Sequence, residues 1–196
     1  MKDKFQQIWE LALPYQDKRD DTGHAEVTLH YAELLIGLEN GDEDIVIPAM
    51  ILHDIGWSQL TRDEIMLIFN IDAKQEDKTA VQLKHQNAGV KIARNILEQV
   101  GYPKVMTAEI LEIISQHDTR EGFISKNEGL VRDADKLWRT SRVGFEASNS
   151  KNKLSRDQAI KKIEDGLKKP TAQNTLYSKS AKQIEIENIE LLKRLS

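Results

Sequence analysis

Four histidines recur along this chain at nearly equal intervals, and one of them is followed directly by an aspartate. They are separated by 29, 32 and 32 residues: His24, His53, His85 and His117. The His53-Asp54 dipeptide ends an apolar run that begins at Pro48. Burying an imidazole and a carboxylate without partners is costly. A metal ion such as Fe, Mn, Co, Ni or Zn would satisfy both groups, because imidazole and carboxylate are ligands that these ions share.

The surroundings of these residues help to decide between a metal site and a purely structural pair. A helix-end histidine can pair with a neighbouring aspartate for structural reasons alone, and the His53-Asp54 dipeptide by itself leaves both interpretations open. Each of the four histidines, however, lies in or at the end of a segment with helical apolar spacing, and Asp135 lies in a fifth such segment. Helical bundles build metal sites from one side chain on each of several helices. We therefore predict an all-α, single-domain helical bundle with a metal site in its core.

Helix signals are abundant in the sequence, whereas strand signals are nearly absent. The predicted helices cover about residues 4–12, 23–40, 45–55, 62–69, 77–100, 103–117, 156–168 and 176–195, and a further helix begins near Glu128. Pro48 is predicted to lie in the first turn of its helix, where a missing N–H does no harm. Gly56 is predicted to form a left-handed cap after the same helix. The stretch Glu146–Ser155 holds few apolar residues and is predicted to be a mobile connection.

In the order His…His-Asp…His…His…Asp, the chain resembles the HD-domain superfamily of metal-dependent phosphohydrolases. The segments Leu-His-Asp-Ile-Gly at 52–56 and Asp-Ala-Asp-Lys-Leu at 133–137 are similar to motifs of that family. The resemblance extends over roughly residues 20–145. It implies a first metal ion held by His24, His53, Asp54 and Asp135. It also implies a second ion held by His85 and His117, with Asp54 bridging the two.

The resemblance also implies a reaction. A metal-activated water would cleave a small phosphorylated substrate, a nucleotide or a phosphomonoester, and Asp54 would orient or deprotonate that water besides binding metal. One or two divalent ions are expected, Fe, Mn, Co, Ni or Zn, with Mg also compatible. With a single ion, His85 and His117 would instead form hydrogen bonds to the substrate phosphate. Two other functions fit the same ligand set: a mixed-valent di-iron oxygenase, and a non-catalytic sensor of metal and nucleotide.

Basic residues that follow Asp135 are candidates for binding the phosphate. In the family such residues commonly lie near the substrate, so the resemblance implies Lys136, Arg139 and Arg142. Arg139 lies four residues after Asp135 and would share its helix face, which Arg142 would nearly continue. The alternative is that these cations form salt bridges with nearby acids or are solvated side chains.

Composition limits the class of protein. The chain has 196 residues, a length that suits one domain over 1–196, with a motif-bearing core at about 20–145 and C-terminal helices at 156–196 packed on it. It contains no cysteine, which excludes disulfides, thiolate metal sites and cysteine nucleophiles. The sequence shows neither a signal-peptide pattern nor a membrane-spanning run, so a cytoplasmic protein without membrane contact is expected.

The net charge of −4 is the sum of an acidic N-terminal part and a basic C-terminal part of the chain. Residues 1–135 carry 14 basic and 25 acidic side chains, whereas residues 136–196 carry 14 and 7. The C-terminal cations could frame a phosphate site or could be solvated helix faces. Acidic residues dilute them and no aromatic-plus-basic stripe accompanies them, so a nucleic-acid polymer is not expected as a partner. The amphipathic terminal helix could support a homodimer.

Overall fold

The computed structural model describes residues 2–19, 21–70, 72–152, 154–168 and 175–194. Regular structure in these residues is helical throughout, which confirms the predicted all-α fold class. The α-helices are α1 (Asp3–Ala12), α2 (His24–Glu39), α3 (Glu43–Leu52), α4 (Arg62–Phe69), α5 (Gln75–Gln99), α6 (Lys104–Gln116), α7 (Lys126–Leu137), α8 (Arg142–Asn152), α9 (Arg156–Leu167) and α10 (Lys179–Arg194). Short 3-10 helices lie at Leu13–Tyr15, Ile55–Gln59 and Trp138–Thr140. None of the described helices is long and apolar enough to cross a membrane.

The chain divides into two compact units. The first unit comprises the described residues of Met1–Asp20 and Glu43–Arg120. The second unit comprises those of Asp21–Asp42 and Glu121–Ser196. The single domain expected over residues 1–196 stays a prediction.

Helix α3 is the most deeply buried helix of the first unit. Its residues from Ile45 to Leu52 are all buried, because the sequence is apolar on every face of the helix. It packs against α1 and α6, while α5 packs against α4, α6 and the 3-10 helix at Ile55–Gln59. The His53-Asp54 dipeptide therefore lies between a buried helix, α3, and the 3-10 helix that packs against α5.

Pro48 lies inside α3 and not in its first turn, so that prediction is wrong. A proline at this position cannot donate to the carbonyl four residues earlier, which belongs to Asp44. The hydroxyl of Tyr102 donates to that carbonyl instead, at 2.7 Å. Tyr102 follows Gly101, a glycine with a φ of 61° that turns the chain away from the end of α5. A side chain thus replaces the backbone hydrogen bond that the proline removes.

We expect Tyr102→Phe to lower the free energy of unfolding by about 1–2 kcal/mol, because the hydrogen bond from this hydroxyl to the carbonyl of Asp44 would be lost. Denaturant unfolding of the two proteins measures the difference. Tyr15→Phe, at a partly exposed tyrosine of the same unit, is the matched control and should change the value by less than about 0.5 kcal/mol. Equal unfolding free energies for Tyr102→Phe and the native protein would show that this hydroxyl does not stabilise α3.

Gly56 does not form the left-handed cap that the sequence predicts. It lies in the 3-10 helix at Ile55–Gln59 and is not among the described glycines with positive φ. A Cβ atom at this position would lie 1.9 Å from the carbonyl oxygen of His85 and 2.5 Å from the backbone nitrogen of Gly89. The residue is therefore glycine because two backbone segments approach each other closely.

Helices α2 and α7 pack together in the second unit, and α10 packs against both of them. The carboxylate of Asp133, on α7, accepts hydrogen bonds from the backbone N–H groups of Tyr177 and Ser178 at 2.6 and 2.8 Å. These bonds hold the segment that leads into α10, which begins three residues later than predicted. The predicted last helical residue, Leu195, lies outside the described residues.

Helix α8 covers residues 146–152 of the stretch that the sequence predicts to be a mobile connection. The sequence shows few apolar residues there, but one aromatic side chain anchors the helix. Phe145 is 3% exposed and packs with three residues of α9 and α10: Ala159, Ile160 and Leu192. The hydroxyl of Ser141 accepts from the N–H of Gly144 at 3.0 Å and satisfies a donor of the first turn.

Candidate metal centre

Three helices of the first unit bring polar side chains together in an apolar interior. His53 and Asp54 follow the last residue of α3, His85 lies within α5, and His117 follows the last residue of α6. These three histidines are at most 4% exposed, and the side chain of Asp54 is 17% exposed. One donor atom from each of Asp54, His85 and His117 lies within 4.8 Å of the others. We call His53, Asp54, His85 and His117 the first-unit cluster.

Backbone carbonyls orient two of the rings in the first-unit cluster. His53 Nδ1 donates to the carbonyl of Met50 at 2.7 Å, and His117 Nδ1 donates to that of Ile114 at 2.9 Å. Because a carbonyl only accepts, Nδ1 of each neutral ring carries the proton and Nε2 keeps its lone pair. Both Nε2 atoms face Asp54, at 3.4 Å for His53 and 3.3 Å for His117. Metal-ligating histidines are commonly held by such a bond at the opposite ring nitrogen.

Two side chains hold the carboxylate of Asp54 in place. Its Oδ2 atom forms an ion pair with Arg19, and its Oδ1 atom accepts from Trp57 Nε1 at 3.0 Å. The guanidinium of Arg19 also lies over the Trp57 ring, 5.0 Å from its centroid. Burial alone would raise the pKa of Asp54, but Arg19 and the neighbouring histidines outweigh burial and hold that pKa well below its usual value. The carboxylate is therefore ionised and fixed in direction at neutral pH.

His85 and His117 meet through their Nε2 atoms, which are 3.4 Å apart. The His85 ring stacks on Trp57 with a centroid distance of 4.0 Å, and burial lowers the pKa of His85 to about 4. Burial also opposes a charge on His117, yet Asp118 and Asp54 raise the pKa of that ring above its ordinary value. The negative charges of Asp118 and Asp54, which favour a proton on His117, would also favour a metal cation beside it. The donor atoms of the first-unit cluster therefore fit a divalent ion.

His24 and Asp135 meet within the second unit. His24 is the first residue of α2 and is 4% exposed, and Asp135 lies on α7. His24 Nε2 lies 3.1 Å from Asp135 Oδ1. The ring of Trp138 packs edge-on against His24 with a centroid distance of 5.1 Å. His30, on the same helix, is exposed and belongs to neither group of predicted ligands.

The three predicted substrate-binding residues have different surroundings. Lys136 is buried, its Nζ donates to a backbone carbonyl of the segment before α10 at 2.6 Å, and burial lowers its pKa to about 8. Arg139 is exposed in the 3-10 helix that follows α7. Arg142 begins α8 and pairs with Glu146 at 2.9 Å. The predicted helix face shared by Asp135, Arg139 and Arg142 is wrong, because α7 ends before either arginine. Their roles in substrate binding stay predictions.

Two residues beside the first-unit cluster are not among the sequence predictions. Arg19 lies in a turn outside any helix, and no sequence pattern connects it to Asp54. Asp118 could have been found, because His117-Asp118 is a second histidine-aspartate dipeptide in the same chain. Its carboxylate lies 3.6 Å from His85 Nε2 and 3.8 Å from His117 Nε2.

Comparison with known proteins agrees with this architecture. The HD domain family model matches residues 23–140, so the chain belongs to the HD-domain family, as the resemblance predicted. The crystal structure of a predicted HD superfamily hydrolase from an uncultured Thermotogales bacterium is 18% identical, with a TM-score of 0.61, and the match covers 100% of this chain and 88% of that one. At this identity the likeness supports the shared fold alone. No curated protein matched the chain.

Proposed function

We propose that this protein is a metal-dependent phosphohydrolase that cleaves a small phosphorylated substrate, a nucleotide or a phosphomonoester. The observation that carries the proposal is the buried first-unit cluster, where the ionised carboxylate of Asp54 and the Nε2 atoms of His85 and His117 face one another. Membership in the HD-domain family supports a divalent metal as the group that these donors hold. A divalent ion, when bound, lowers the pKa of a water and offsets negative charge on phosphoryl oxygens.

The protein's own residues bind the metal and orient the reacting water. The proposed ligands are those that the family resemblance implies: His24, His53, Asp54, His85, His117 and Asp135. The proposed catalytic residue is Asp54, because its carboxylate is ionised and its direction is fixed by Arg19 and Trp57. It would accept a hydrogen bond from the attacking water and so direct that water toward phosphorus.

Cations of the chain would complete the binding of the phosphate. Lys136, Arg139 and Arg142 are the proposed substrate ligands, and Arg139 has the strongest case because it is exposed and is not held by a backbone carbonyl as Lys136 is. A guanidinium matches two phosphate oxygens at once, which suits a phosphomonoester or a terminal nucleotide phosphate.

Phosphatase assays with and without metal test the proposal. We expect a screen of nucleotides and sugar phosphates to reveal hydrolysis that a chelator removes and that one of Mn, Co, Ni, Zn or Mg restores. His30→Ala, at an exposed histidine outside the predicted ligands, should keep the metal content and the activity of the native protein. Released inorganic phosphate and elemental analysis are the two measurements.

Other outcomes of the same experiments would favour the alternative functions. About two iron ions per chain together with substrate-dependent oxygen uptake, and no release of phosphate, would favour the di-iron oxygenase. Tight nucleotide binding without turnover under any metal would favour the sensor. Either result would contradict the proposed hydrolysis.

A further inference from the structure

We propose that Asp118 is an additional metal ligand, which together with His85 and His117 binds the second ion of this centre. The inference rests on the metal dependence of the proposed function, but it assigns a ligand that the family resemblance does not supply. Its basis is the position of the Asp118 carboxylate, the local structure that carries it, and the balance of charge around the two imidazoles.

The carboxylate lies on the side of the rings where a metal would bind. Asp118 Oδ2 is 3.6 Å from His85 Nε2 and 3.8 Å from His117 Nε2, both longer than a hydrogen bond. Ligand atoms that share one ion at bond lengths of about 2.0–2.2 Å are separated by roughly 3–4 Å. A carboxylate that only oriented His117 would contact Nδ1, but that nitrogen already donates to the carbonyl of Ile114. Asp118 therefore faces the donor atoms themselves.

The local structure of His117-Asp118 repeats that of His53-Asp54. Each dipeptide begins immediately after the last residue of a helix, α6 in one case and α3 in the other. In each, the histidine Nδ1 donates to the carbonyl three residues earlier, which leaves Nε2 facing the carboxylates. The same backbone arrangement thus delivers an imidazole and a following carboxylate twice in the first unit. Asp118 occupies in the second copy the place that Asp54 occupies in the first.

The backbone beneath Asp118 is held firmly. Gln86 is fully buried next to His85. When its amide is oriented to match its hydrogen-bond partners, its oxygen accepts from the backbone N–H groups of Asp118 and His117 at 3.1 and 3.2 Å. The amide nitrogen of Gln86 donates to the hydroxyl of Thr119 at 3.0 Å in the same orientation. One side chain of α5 therefore fixes three consecutive residues at the end of α6. A ligand held in this way loses little freedom when it binds an ion.

Charge balance also favours Asp118 as a ligand. Two imidazoles contribute no negative charge to a divalent ion, and the carboxylate of Asp54 already forms an ion pair with Arg19. Asp118 adds a further negative charge within 4 Å of both rings. A carboxylate beside two imidazoles is also a donor set that Fe, Mn and Co bind readily.

Asp118→Cys gives a direct spectroscopic test, because the chain contains no other cysteine. The protein is stripped of metal with a chelator and titrated with Co(II). We expect an intense near-ultraviolet band from a thiolate bound to cobalt in Asp118→Cys, and no such band in the control Asp63→Cys, at an exposed position of α4. A Co(II)-loaded Asp118→Cys protein without that band would overturn the assignment.

Asp118→Asn tests the same ligand by affinity. In equilibrium dialysis with Mn(II), we expect two ions per native chain, and in Asp118→Asn one ion bound as before and a second bound at least about tenfold more weakly. Asp63→Asn should match the native protein. Unchanged binding of both ions by Asp118→Asn would overturn the inference but leave the proposed function intact. A native chain that binds no metal would overturn both.

Discussion

Asp54→Asn is expected to lower phosphohydrolase activity by at least about 100-fold and to weaken metal binding. The substitution keeps the shape of the side chain but removes its charge. Asp54 is the residue of the first-unit cluster that Arg19, Trp57 and His117 all contact, so the loss of its charge affects several partners at once. The amide would also leave the guanidinium of Arg19 facing a neutral group in a largely buried position. Activity assays and elemental analysis on the same preparation measure both effects.

A matched control separates this effect from a general loss of carboxylate charge. Asp63→Asn removes a carboxylate from the exposed first turn of α4 and should retain the native activity and metal content. Circular dichroism should show that Asp54→Asn remains helical, because α3 ends before this residue and keeps its buried side chains. Native metal content in a fully active Asp54→Asn protein would rule out Asp54 as a ligand and as the catalytic residue.

Gly56→Ala is expected to lower the free energy of unfolding by about 3 kcal/mol. Among the glycines, an added Cβ atom would come closest to another atom at this position. The added Cβ would lie 1.9 Å from the carbonyl oxygen of His85 and 2.5 Å from the nitrogen of Gly89. Both atoms belong to the backbone of α5, so neither can move aside by changing a rotamer. The 3-10 helix would have to move away from α5, which would also displace Asp54. Denaturant unfolding measures the loss of stability, and metal content reports the displacement.

Gly37→Ala is the control for the methyl group itself. Gly37 lies within α2, and a Cβ there would meet no atom within 4 Å. Alanine is the better helix former, so this variant should be more stable than the native protein by about 0.5–1 kcal/mol. Similar unfolding midpoints for the two variants would show that the close approach of Gly56 to α5 is tolerated.

The helices were predictable where local signals define them. The predicted range of 62–69 agrees with α4, which begins at a capping box of Thr61 and Glu64, and the start of α9 is likewise set by the capping box of Ser155. Helix α8 was missed because its stability depends on Phe145 and on residues of α9 and α10 that are distant in sequence. The position of Pro48 was misjudged for the same reason, since Tyr102, in the connection between α5 and α6, supplies the missing donor.

Of the candidate site, the sequence allowed only the possible metal ligands to be predicted, because their residue types are those that a metal requires. Histidine and aspartate at helix ends are rare enough in apolar segments to be noticed in the sequence. The partners that orient them are harder to predict. Arg19 acts on Asp54 through packing that no spacing rule encodes, whereas the contact of Trp57 with Asp54 depends on the 3-10 helix at Ile55–Gln59. The shared face expected for Arg139 and Arg142 is not formed, because a 3-10 helix follows α7 and interrupts the α-helical period.

Each unit of the chain places an indole ring against a histidine of its own. Trp57 stacks on His85 at 4.0 Å, and Trp138 meets His24 edge-on at 5.1 Å. Imidazoles in contact with an indole alter its emission, and their effect changes when they bind a cation. The intrinsic fluorescence of the protein should therefore respond as ions load, and replacing one tryptophan at a time by phenylalanine would assign that response to one histidine or the other without any attached dye.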